Sequence, residues 1–329
     1  MPSHDVMPNM ELYQPVQVED ALEIADRLAD RGWLVGGGQD TYGWLKDRAK
    51  DVDALIDLSA IESLRGIRET TDGVEIGALT TLTEIVNSGV LKNSYSLLTD
   101  AASVVASPQI RNIGTLGGNV SQDVRCWYYR RGLSCYRAGG NLCYADTPEG
   151  MNREHALFDA SRCVAAGASD TSSALVALEA SMVIQNSGGE RVVSAEDFFV
   201  GPANDIENTT VLRPGDILTA VRIPSTWANA AFYWEKVADR NVWDFSLVNI
   251  AAAFKVSSGN ITDSRIVAGA VQTTPRRLTD VESAVQGQPK NQQTGESVMN
   301  LATDGARTLA HNGFKVPLLQ NLVKRAISA

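Results

Sequence analysis

The sequence predicts an α+β fold in which helices and strands follow one another in a mixed, irregular order. Near the N-terminus, a helical pattern precedes a short apolar run that ends in the glycine cluster Gly36-Gly37-Gly38. The turn sequences Asp72-Gly73 and Gly188-Gly189 each lie between apolar runs and indicate hairpins. The last third carries three long strand patterns in succession. Strands that follow strands argue against a regular alternation of strand and helix.

The first elements follow from residue spacing. Apolar residues from Ala21 to Leu28 recur at helical intervals, and the run from Trp33 to Val35 is typical of a short strand. Pro108 is expected to end a helix that precedes it. The expected elements are a helix at residues 18–31, strands at 33–35 and 54–58, a hairpin at 67–78 and a helix at 94–106.

The second part of the chain starts with another glycine-rich loop. This loop is expected at residues 110–119, and the cysteine-containing region after it has no clear periodicity. Regular patterns resume at Ser169-Asp170. The further expected elements are a helix to residue 179, the second hairpin, strands at 217–223, 230–237, 245–256 and 261–270, and two or three closing helices, the last from Pro317. A domain boundary is expected near residue 225.

Charge and hydropathy exclude some classes of function. The formal net charge is −10 at pH 7, and an acidic protein is poorly suited to nucleic acid or anionic membranes. No stretch reaches the roughly 18 apolar residues of a membrane span. Residues 1–10 do not resemble a signal peptide. We therefore expect a cytoplasmic protein, with export beside a partner subunit as an alternative.

The two glycine clusters are typical of backbone that approaches a ligand closely. Glycine reaches positive φ angles, and successive free N–H groups form an anion-binding concavity. Two such loops, each beside an apolar segment, fit one elongated ligand such as FAD. Neither loop matches the G-x-G-x-x-G fingerprint or a Walker loop. The residues alone therefore indicate nucleotide binding, and ordinary turns remain an alternative.

All four cysteines lie between Cys126 and Cys163, with the spacing C-x₈-C-x₇-C-x₁₉-C. Disulfides are disfavoured because no secretory context is visible. A structural zinc site usually contains a C-x₂₋₄-C pair, which this sequence lacks. An iron–sulfur cluster tolerates irregular spacing when a loop wraps around it. Unpaired cysteines are the fourth alternative.

Several motifs together resemble the FAD subunits of the xanthine dehydrogenase, aldehyde oxidoreductase and carbon monoxide dehydrogenase family. The run from Arg111 to Asn119 closely matches the family pattern Arg-Asn-x-Gly-Thr-x-Gly-Gly-Asn. Residues 35–40 are similar to its Ala-Gly-Gly-Thr-Asp-Leu loop, with Gln39 where threonine is usual. Ser169-Asp170, residues 214–224 and the pattern Lys236, Arg240, Asp244-Phe245 also match. The resemblance covers roughly residues 10–325.

The resemblance implies a vanillyl-alcohol-oxidase-type (PCMH-type) FAD-binding fold of two subdomains plus a C-terminal α/β domain. The subdomains would span residues 1–58 and 59–225, and the C-terminal domain residues 226–329. It also implies which residues contact FAD. Residues 36–41 would hold the diphosphate, the second loop would contact diphosphate and ribityl, Asp170 would bond hydroxyl groups, and Leu218 and Lys236 would lie near the isoalloxazine. The full expected set is Val35, Gly36, Gly37, Gly38, Gln39, Asp40, Thr41, Ser107, Gly114, Thr115, Gly118, Asn119, Ser121, Asp170, Leu218 and Lys236.

Relative to most of that family, about 40 extra residues (roughly 123–166) follow the second glycine loop, and we call them the insert. The insert resembles the cluster-bearing loop of bacterial aldehyde oxidoreductase FAD subunits, through residues 126–130 and 152–158. This resemblance implies that Cys126, Cys135, Cys143 and Cys163 ligate one [4Fe–4S] cluster. Nearby arginines (Arg125, Arg130, Arg131, Arg137) either offset its charge or dock a partner. His155 is expected to be structural. We expect the insert to interrupt the flavin cleft rather than to build it.

The resemblance implies an electron-transfer subunit of a molybdenum hydroxylase. Electrons would pass from a molybdopterin-binding large subunit and a [2Fe–2S] small subunit through FAD to an external acceptor (NAD, a quinone, a ferredoxin or oxygen). No molybdopterin loop or acid–base pair is evident, so we expect no catalytic side chain in this chain. Alternatives are a 4-hydroxybenzoyl-CoA reductase-like β subunit, a stand-alone FAD oxidoreductase and an iron–sulfur scaffold without flavin.

Overall fold

Three β-sheets, each with helices packed against it, make up the computed structural model, which describes residues 7–329. The strands are β1 (Glu11–Tyr13), β2 (Gly32–Val35), β3 (Ala54–Asp57), β4 (Ile67–Thr70), β5 (Gly73–Gly77), β6 (Ser181–Asn186), β7 (Gly189–Ser194), β8 (Ile217–Pro224), β9 (Ala231–Val237), β10 (Val248–Ser257), β11 (Asn260–Gly269) and β12 (Arg276–Arg277). The helices are α1 (Val18–Leu28), α2 (Thr41–Lys46), α3 (Leu82–Asn87), α4 (Gly89–Ser94), α5 (Ser96–Ser103), α6 (Pro108–Arg111), α7 (Leu116–Ser121), α8 (Trp127–Arg130), α9 (Asp170–Ala177), α10 (Ala195–Phe198), α11 (Thr279–Val285), α12 (Gln292–Val298) and α13 (Lys315–Ser328).

The first sheet is parallel, with the strand order β1-β3-β2. Helix α1 covers it through Ala21, Ala25 and Leu28, which are buried at helical spacing in a shared apolar cluster with Ala54 of β3. Strand β2 ends at Val35 and the chain then enters the first glycine cluster. The sheet therefore delivers this cluster to the edge of the molecule where a cleft opens.

The second sheet is antiparallel, with the strand order β4-β5-β8-β6-β7. Both expected hairpins are present, and β8 lies between them as the central strand. Its residue Val221 is completely buried, in the same core as Leu98 of α5 and Leu175 of α9. These two helices pack against each other and separate the second sheet from the third.

The third sheet is antiparallel, with the strand order β12-β11-β10-β9. Strand β10 is buried on both faces because its residues alternate between two cores. Ile250 and Phe254 pack with α13, whereas Ala251 and Ala253 pack with α5 and α9. The small alanines allow these helices to lie close to the sheet, which brings the C-terminal part against the rest of the chain.

The structure corrects the prediction that residues 110–119 form a loop. They include α6 and the start of α7, and Thr115 caps α7 by accepting a hydrogen bond from the Gly118 N–H at 3.1 Å. Helices α3 and α4 were also missed. Thr81 and Glu84 form a capping box at the start of α3, so the sequence carried a local signal for that helix.

Residues 122–168 contain no strand, and their only α-helix is the single turn α8. This agrees with the lack of periodicity in the sequence. Of the N-terminal stretch 1–10, only residues 7–10 lie within the described part. No helix among residues 7–329 is long and apolar enough to cross a membrane.

Candidate functional site

A cleft of about 1100 Å³ opens where the first glycine cluster, the start of α7 and the loop before β10 meet. Clefts of this size are typical of cofactor sites. Most of the residues expected to bind FAD line it. They are Gly36, Gly37, Gly38, Gln39, Asp40, Thr41, Gly114, Thr115, Gly118, Asn119, Ser121 and Asp170.

The two glycine segments touch each other in the floor of the cleft. A Cβ atom built on Gly37 would lie 2.2 Å from the carbonyl oxygen of Ile113, so only glycine fits there. A Cβ atom on Gly36 would lie 2.9 Å from the Thr115 hydroxyl. Within residues 7–329, the N–H groups of Gly36, Gly37 and Gly38 pair with no protein acceptor. Such unpaired N–H groups suit an anionic ligand such as a diphosphate.

Gly118 faces the cleft from α7. A Cβ atom there would meet only the Thr115 hydroxyl, at 3.1 Å, and the rest of its surroundings is open. Asn119, the next residue, is held in place because its side-chain oxygen accepts hydrogen bonds from Ser169 at 2.7 Å and Thr171 at 2.6 Å. These contacts fix the start of α7 against α9, so the cleft is largely formed before any ligand binds.

Asp170 lies at the cleft with only 4% of its surface exposed. Its carboxylate accepts hydrogen bonds from Lys236 at 2.6 Å and from Ser246 at 2.7 Å. Lys236 also donates to the carbonyl oxygens of Val104 at 3.2 Å and Asp244 at 2.8 Å. All three ammonium protons are therefore engaged, and Lys236 acts as a tie between α9, α5 and the loop before β10.

Four of the expected residues do not line the cleft. One is Lys236, whose ammonium group is engaged by Asp170, Val104 and Asp244. Val35 is buried in a small cluster with Leu45 and Leu55 behind the first glycine segment. Ser107 accepts a hydrogen bond from the N–H of Ile110 and so caps α6. Leu218 is buried in the core of the second sheet. Their part in binding a flavin stays a prediction.

Asp40 joins the first glycine segment to the insert. One of its carboxylate oxygens pairs with both Arg125 and Arg130, the latter at 3.0 Å. The other accepts a hydrogen bond from the Trp44 indole at 2.9 Å. The Arg130 guanidinium lies over the Trp44 ring, 4.1 Å from its centre. Burial lowers the pKa of Arg125, and Asp40 partly opposes this effect.

The expectation that the insert only interrupts the flavin cleft is wrong. Arg125, Trp127, Arg130 and Arg131 all line the cleft. The physical reason is the ion pairing at Asp40, which draws the start of the insert onto the glycine segment. Sequence spacing gave no sign of this contact, because Asp40 and Arg130 are 90 residues apart.

The loop before β10 adds cleft residues that the sequence did not indicate. Trp243 lies there with 60% of its surface exposed, and its backbone N–H donates to the carbonyl oxygen of Ala106. Trp243 and Ala106 both have positive φ angles, 57° and 45°. Such angles are uncommon for residues other than glycine and are found where backbone strain is compensated elsewhere, often at functional sites.

A second, much smaller cavity lies inside the insert, and all four cysteines line it. They are free thiols that come from four separate segments of an irregular chain. Cys135 and Cys163 are buried, while Cys126 and Cys143 are partly buried. Burial raises the pKa of the Cys126 thiol to about 11, so loading with metal requires proton release.

The cysteine cavity bears on two metal alternatives, a single zinc ion and a cluster. Among residues 7–329, no three His, Cys, Asp or Glu side chains are close enough together to hold one metal ion. Zinc would need four sulfurs at about 2.3 Å from a single point. Thiolates around a cubic cluster stand farther apart, since each binds a different corner. Both groups take four thiolate ligands, and four is the number of cysteines that line this cavity.

Two buried polar side chains adjoin the cysteines. His155 places Nε2 at 3.3 Å from the Cys126 sulfur, while its buried Nδ1 has no partner in the described part of the chain. Arg137 donates from Nη1 to the Glu207 carbonyl oxygen at 2.9 Å, while its buried Nε and Nη2 make no hydrogen bond to any residue from 7 to 329. Buried guanidinium donors without an acceptor are costly, so Arg137 suits an anionic group in the cavity that it lines.

Comparison with known proteins agrees with this geometry. Residues 8–226 match the model of the FAD binding domain in molybdopterin dehydrogenase, and residues 233–329 match the CO dehydrogenase flavoprotein C-terminal domain. Among solved structures, carbon monoxide dehydrogenase from Hydrogenophaga pseudoflava matches with a TM-score of 0.77 and 24% identity, covering 98% of this chain and 97% of that one. Quinoline 2-oxidoreductase from Pseudomonas putida matches with a TM-score of 0.76 and 23% identity, covering 98% and 96%.

Two curated relatives span nearly the same length. The carbon monoxide dehydrogenase medium chain of Hydrogenophaga pseudoflava is 24% identical, with 98% of each chain covered. An aldehyde oxidoreductase FAD-binding subunit of Escherichia coli is 29% identical, with 96% of each chain covered.

The fold and the cleft thus define a PCMH-type FAD-binding protein of the oxidoreductases. More narrowly, the chain belongs to the family of FAD-binding medium subunits of molybdenum hydroxylases.

Proposed function

We propose that this chain passes electrons from a molybdopterin-binding large subunit and a [2Fe–2S] small subunit, through FAD, to an external acceptor. NAD, a quinone, a ferredoxin and oxygen are the candidate acceptors, and the cytoplasm is the proposed compartment. The insert holds one [4Fe–4S] cluster through Cys126, Cys135, Cys143 and Cys163. Bound FAD would take or release electrons singly or in pairs, and a bound cluster would pass them singly.

One observation carries the cluster proposal: all four cysteines of the chain line one cavity, in an insert that also lines the flavin cleft. A solvated loop would have no physical reason to gather four thiols around one interior space. The buried Nε and Nη2 donors of Arg137, which lines that space, suit the sulfur atoms of a cluster as acceptors.

The residues of this chain bind and orient rather than react. The N–H groups of Gly36, Gly37 and Gly38, which line the cleft, would receive the FAD diphosphate. Asp170, held by Lys236 and Ser246 at the cleft, would bond sugar or ribityl hydroxyls of the cofactor. The tie that Lys236 makes between α9 and the loop before β10 keeps this side of the cleft in place.

The first test is the content of iron, acid-labile sulfide, zinc and flavin in the anaerobically purified complex, with its visible spectrum. We expect about four irons and four sulfides per FAD from this chain, after those of the [2Fe–2S] subunit are subtracted. Zinc without iron, or flavin without metal, would remove the cluster and favour a flavoenzyme without one.

Two variants make the ligand assignment specific. Cys143→Ser should lose the iron and sulfide assigned to this chain, because a cluster needs its thiolate ligands. Tyr144→Phe changes a neighbouring side chain that lines the same cavity but removes no sulfur, and it should keep them. Full iron in the Cys143→Ser variant would contradict the assignment.

A further inference from the structure

We propose that Arg137 is a positioning residue that raises the reduction potential of the cluster in the insert. The inference rests on the cluster of the proposed function.

Arg137 is the most deeply buried of the arginines near the cysteines. Only 3% of its surface is exposed, and it lines the cavity that the four cysteines share. A guanidinium has five N–H protons, and burial is costly unless they find acceptors. Nη1 donates to the Glu207 carbonyl oxygen, while Nε and Nη2 have no hydrogen-bond partner among residues 7–329.

Arg137 has an acidic neighbour. Asp123 lies 3.6 Å from Nη1 and is itself hydrogen-bonded by Tyr129 at 3.1 Å. An arginine side chain is not deprotonated in proteins, so Arg137 carries its positive charge in this buried position. The unused donors adjoin Cys163, whose sulfur would become a negatively charged acceptor when it binds iron.

The other arginines are excluded by their contacts. Arg125 and Arg130 are committed to Asp40 in the flavin cleft, and Arg131 is exposed. Arg162 lines the cysteine cavity and precedes Cys163, but it is exposed to solvent. Solvent and salt screen an exposed charge, whereas a buried charge acts at much lower effective dielectric.

A buried positive charge and hydrogen bonds to the sulfurs both favour the reduced cluster. Reduction adds one electron, supplied in the test by a chemical titrant, and so increases the negative charge beside Arg137. Net charge, hydrogen bonding to sulfur and solvent exposure are the factors that set cluster potentials. Removal of Arg137 should therefore make the cluster harder to reduce.

The test is a redox titration of the purified complex, followed by the electron paramagnetic resonance signal of the reduced cluster. In Arg137→Met we expect the equilibrium constant for reduction to fall about tenfold or more, which is ~59 mV to lower potential for one electron. Arg162→Met removes an equal charge beside the same ligand, and its potential should move much less.

Arg137→Lys keeps the charge without the planar fork of donors, and its potential should lie between those of the wild type and Arg137→Met. If Arg137→Met loses iron, the test rests on Arg137→Lys. A reduction potential below that of the wild type in this variant supports the inference. An unchanged potential in either variant, an equal shift in Arg162→Met, or iron loss in both Arg137 variants overturns it. Absence of a cluster from the wild type would instead refute the proposed function.

Discussion

Gly118 offers a direct single-residue test of where the flavin lies. Its missing side chain leaves open space in the cleft, apart from the Thr115 hydroxyl at 3.1 Å. Gly118→Val would fill space that the cofactor needs, so we expect most of the bound flavin to be lost while the fold persists. Flavin content after denaturation, together with far-ultraviolet circular dichroism, measures both.

Gly89→Val is the matched control for this substitution. Gly89 also lies in the first turn of a short helix, but it is exposed and a Cβ atom there would meet nothing within 4 Å. Its flavin content should equal that of the wild type. Full flavin content in Gly118→Val would mean that the diphosphate does not lie over the start of α7.

Lys315 is expected to make the free energy of unfolding depend on pH. It is completely buried, and Nζ donates to the carbonyl oxygens of Glu154 at 2.9 Å and Ala270 at 3.0 Å. Burial lowers the pKa of Lys315 from its ordinary value of 10.5 to about 7. In the unfolded chain the ordinary pKa is restored, so between these two values the unfolded state binds more protons.

The free energy of unfolding should therefore rise as the pH increases from about 7 towards 10. The contribution of Lys315 is at most a few kcal/mol, since one pKa unit corresponds to about 1.4 kcal/mol. Urea denaturation at several pH values measures it. Lys315→Met lacks the titrating group, and its stability should vary less over the same range. Parallel pH profiles for the two proteins would contradict the assignment.

At the scale of residues, the sequence could identify glycines but not buried charge networks. A run such as Gly114-Thr115-Leu116-Gly117-Gly118 indicates close backbone approach by its composition alone. Three of its residues, Gly114, Thr115 and Gly118, line the cleft. The ion pairs of Asp40 and the burial of Arg137 depend on segments far apart in the chain. No local pattern encodes such contacts, so these two residues entered only as members of a loop or an arginine group.

At the scale of elements, the sequence predicts best where side-chain periodicity and turn residues agree. The hairpins at Asp72-Gly73 and Gly188-Gly189 and the strands β8 to β11 are present near their expected positions. Short helices and strands were not predicted, because three to six residues carry little periodic signal. Strand β1 is a three-residue edge strand with two exposed residues, and it is defined only by its pairing with β3.

The contact between α8 and the first glycine segment predicts that the insert affects flavin affinity. Arg130, at the end of α8, pairs with Asp40 and covers Trp44. Arg130→Gln would remove one of the two cations that hold Asp40. We expect FAD to bind about fivefold more weakly, which corresponds to ~1 kcal/mol for the lost ion pair. Fluorescence titration of the flavin-free protein with FAD measures this affinity.

Arg162→Gln is the control for this test, because Arg162 belongs to the insert but is exposed and lies outside the flavin cleft. Its affinity for FAD should be unchanged. Equal affinities for all three proteins would show that the bridge between the insert and the glycine segment does not support binding.

At the scale of the whole molecule, the order of the strands in the sheets could not be predicted from local sequence patterns. Strand β8 lies between β5 and β6, although about 140 residues of chain separate it from β5. Such long-range pairing follows from the packing of entire layers and leaves no local mark. The family resemblance supplied the architecture that periodicity could not, because motifs along nearly the whole chain matched one known fold.

The insert is also hydrogen-bonded to the C-terminal segment, so a substitution in one part is expected to affect the other. Asn312 is completely buried and donates to the carbonyl oxygens of His155 at 3.2 Å and Ala156 at 3.0 Å. Its side-chain oxygen accepts a hydrogen bond from the N–H of Leu309 at 2.7 Å. Asn312→Ala would leave these buried groups unpaired, at a cost of about 3 kcal/mol.

Because these bonds cross between two distant parts of the chain, we expect both parts to loosen together. Hydrogen exchange followed by mass spectrometry should show faster exchange at residues 152–158 and 305–315 in Asn312→Ala. Asn321→Ala is the control, since Asn321 is exposed and bonds only within its own helix, to Pro317. Faster exchange confined to residues 305–315 would mean that the insert is held without the C-terminal segment, and that the cysteine cavity keeps its shape independently of it.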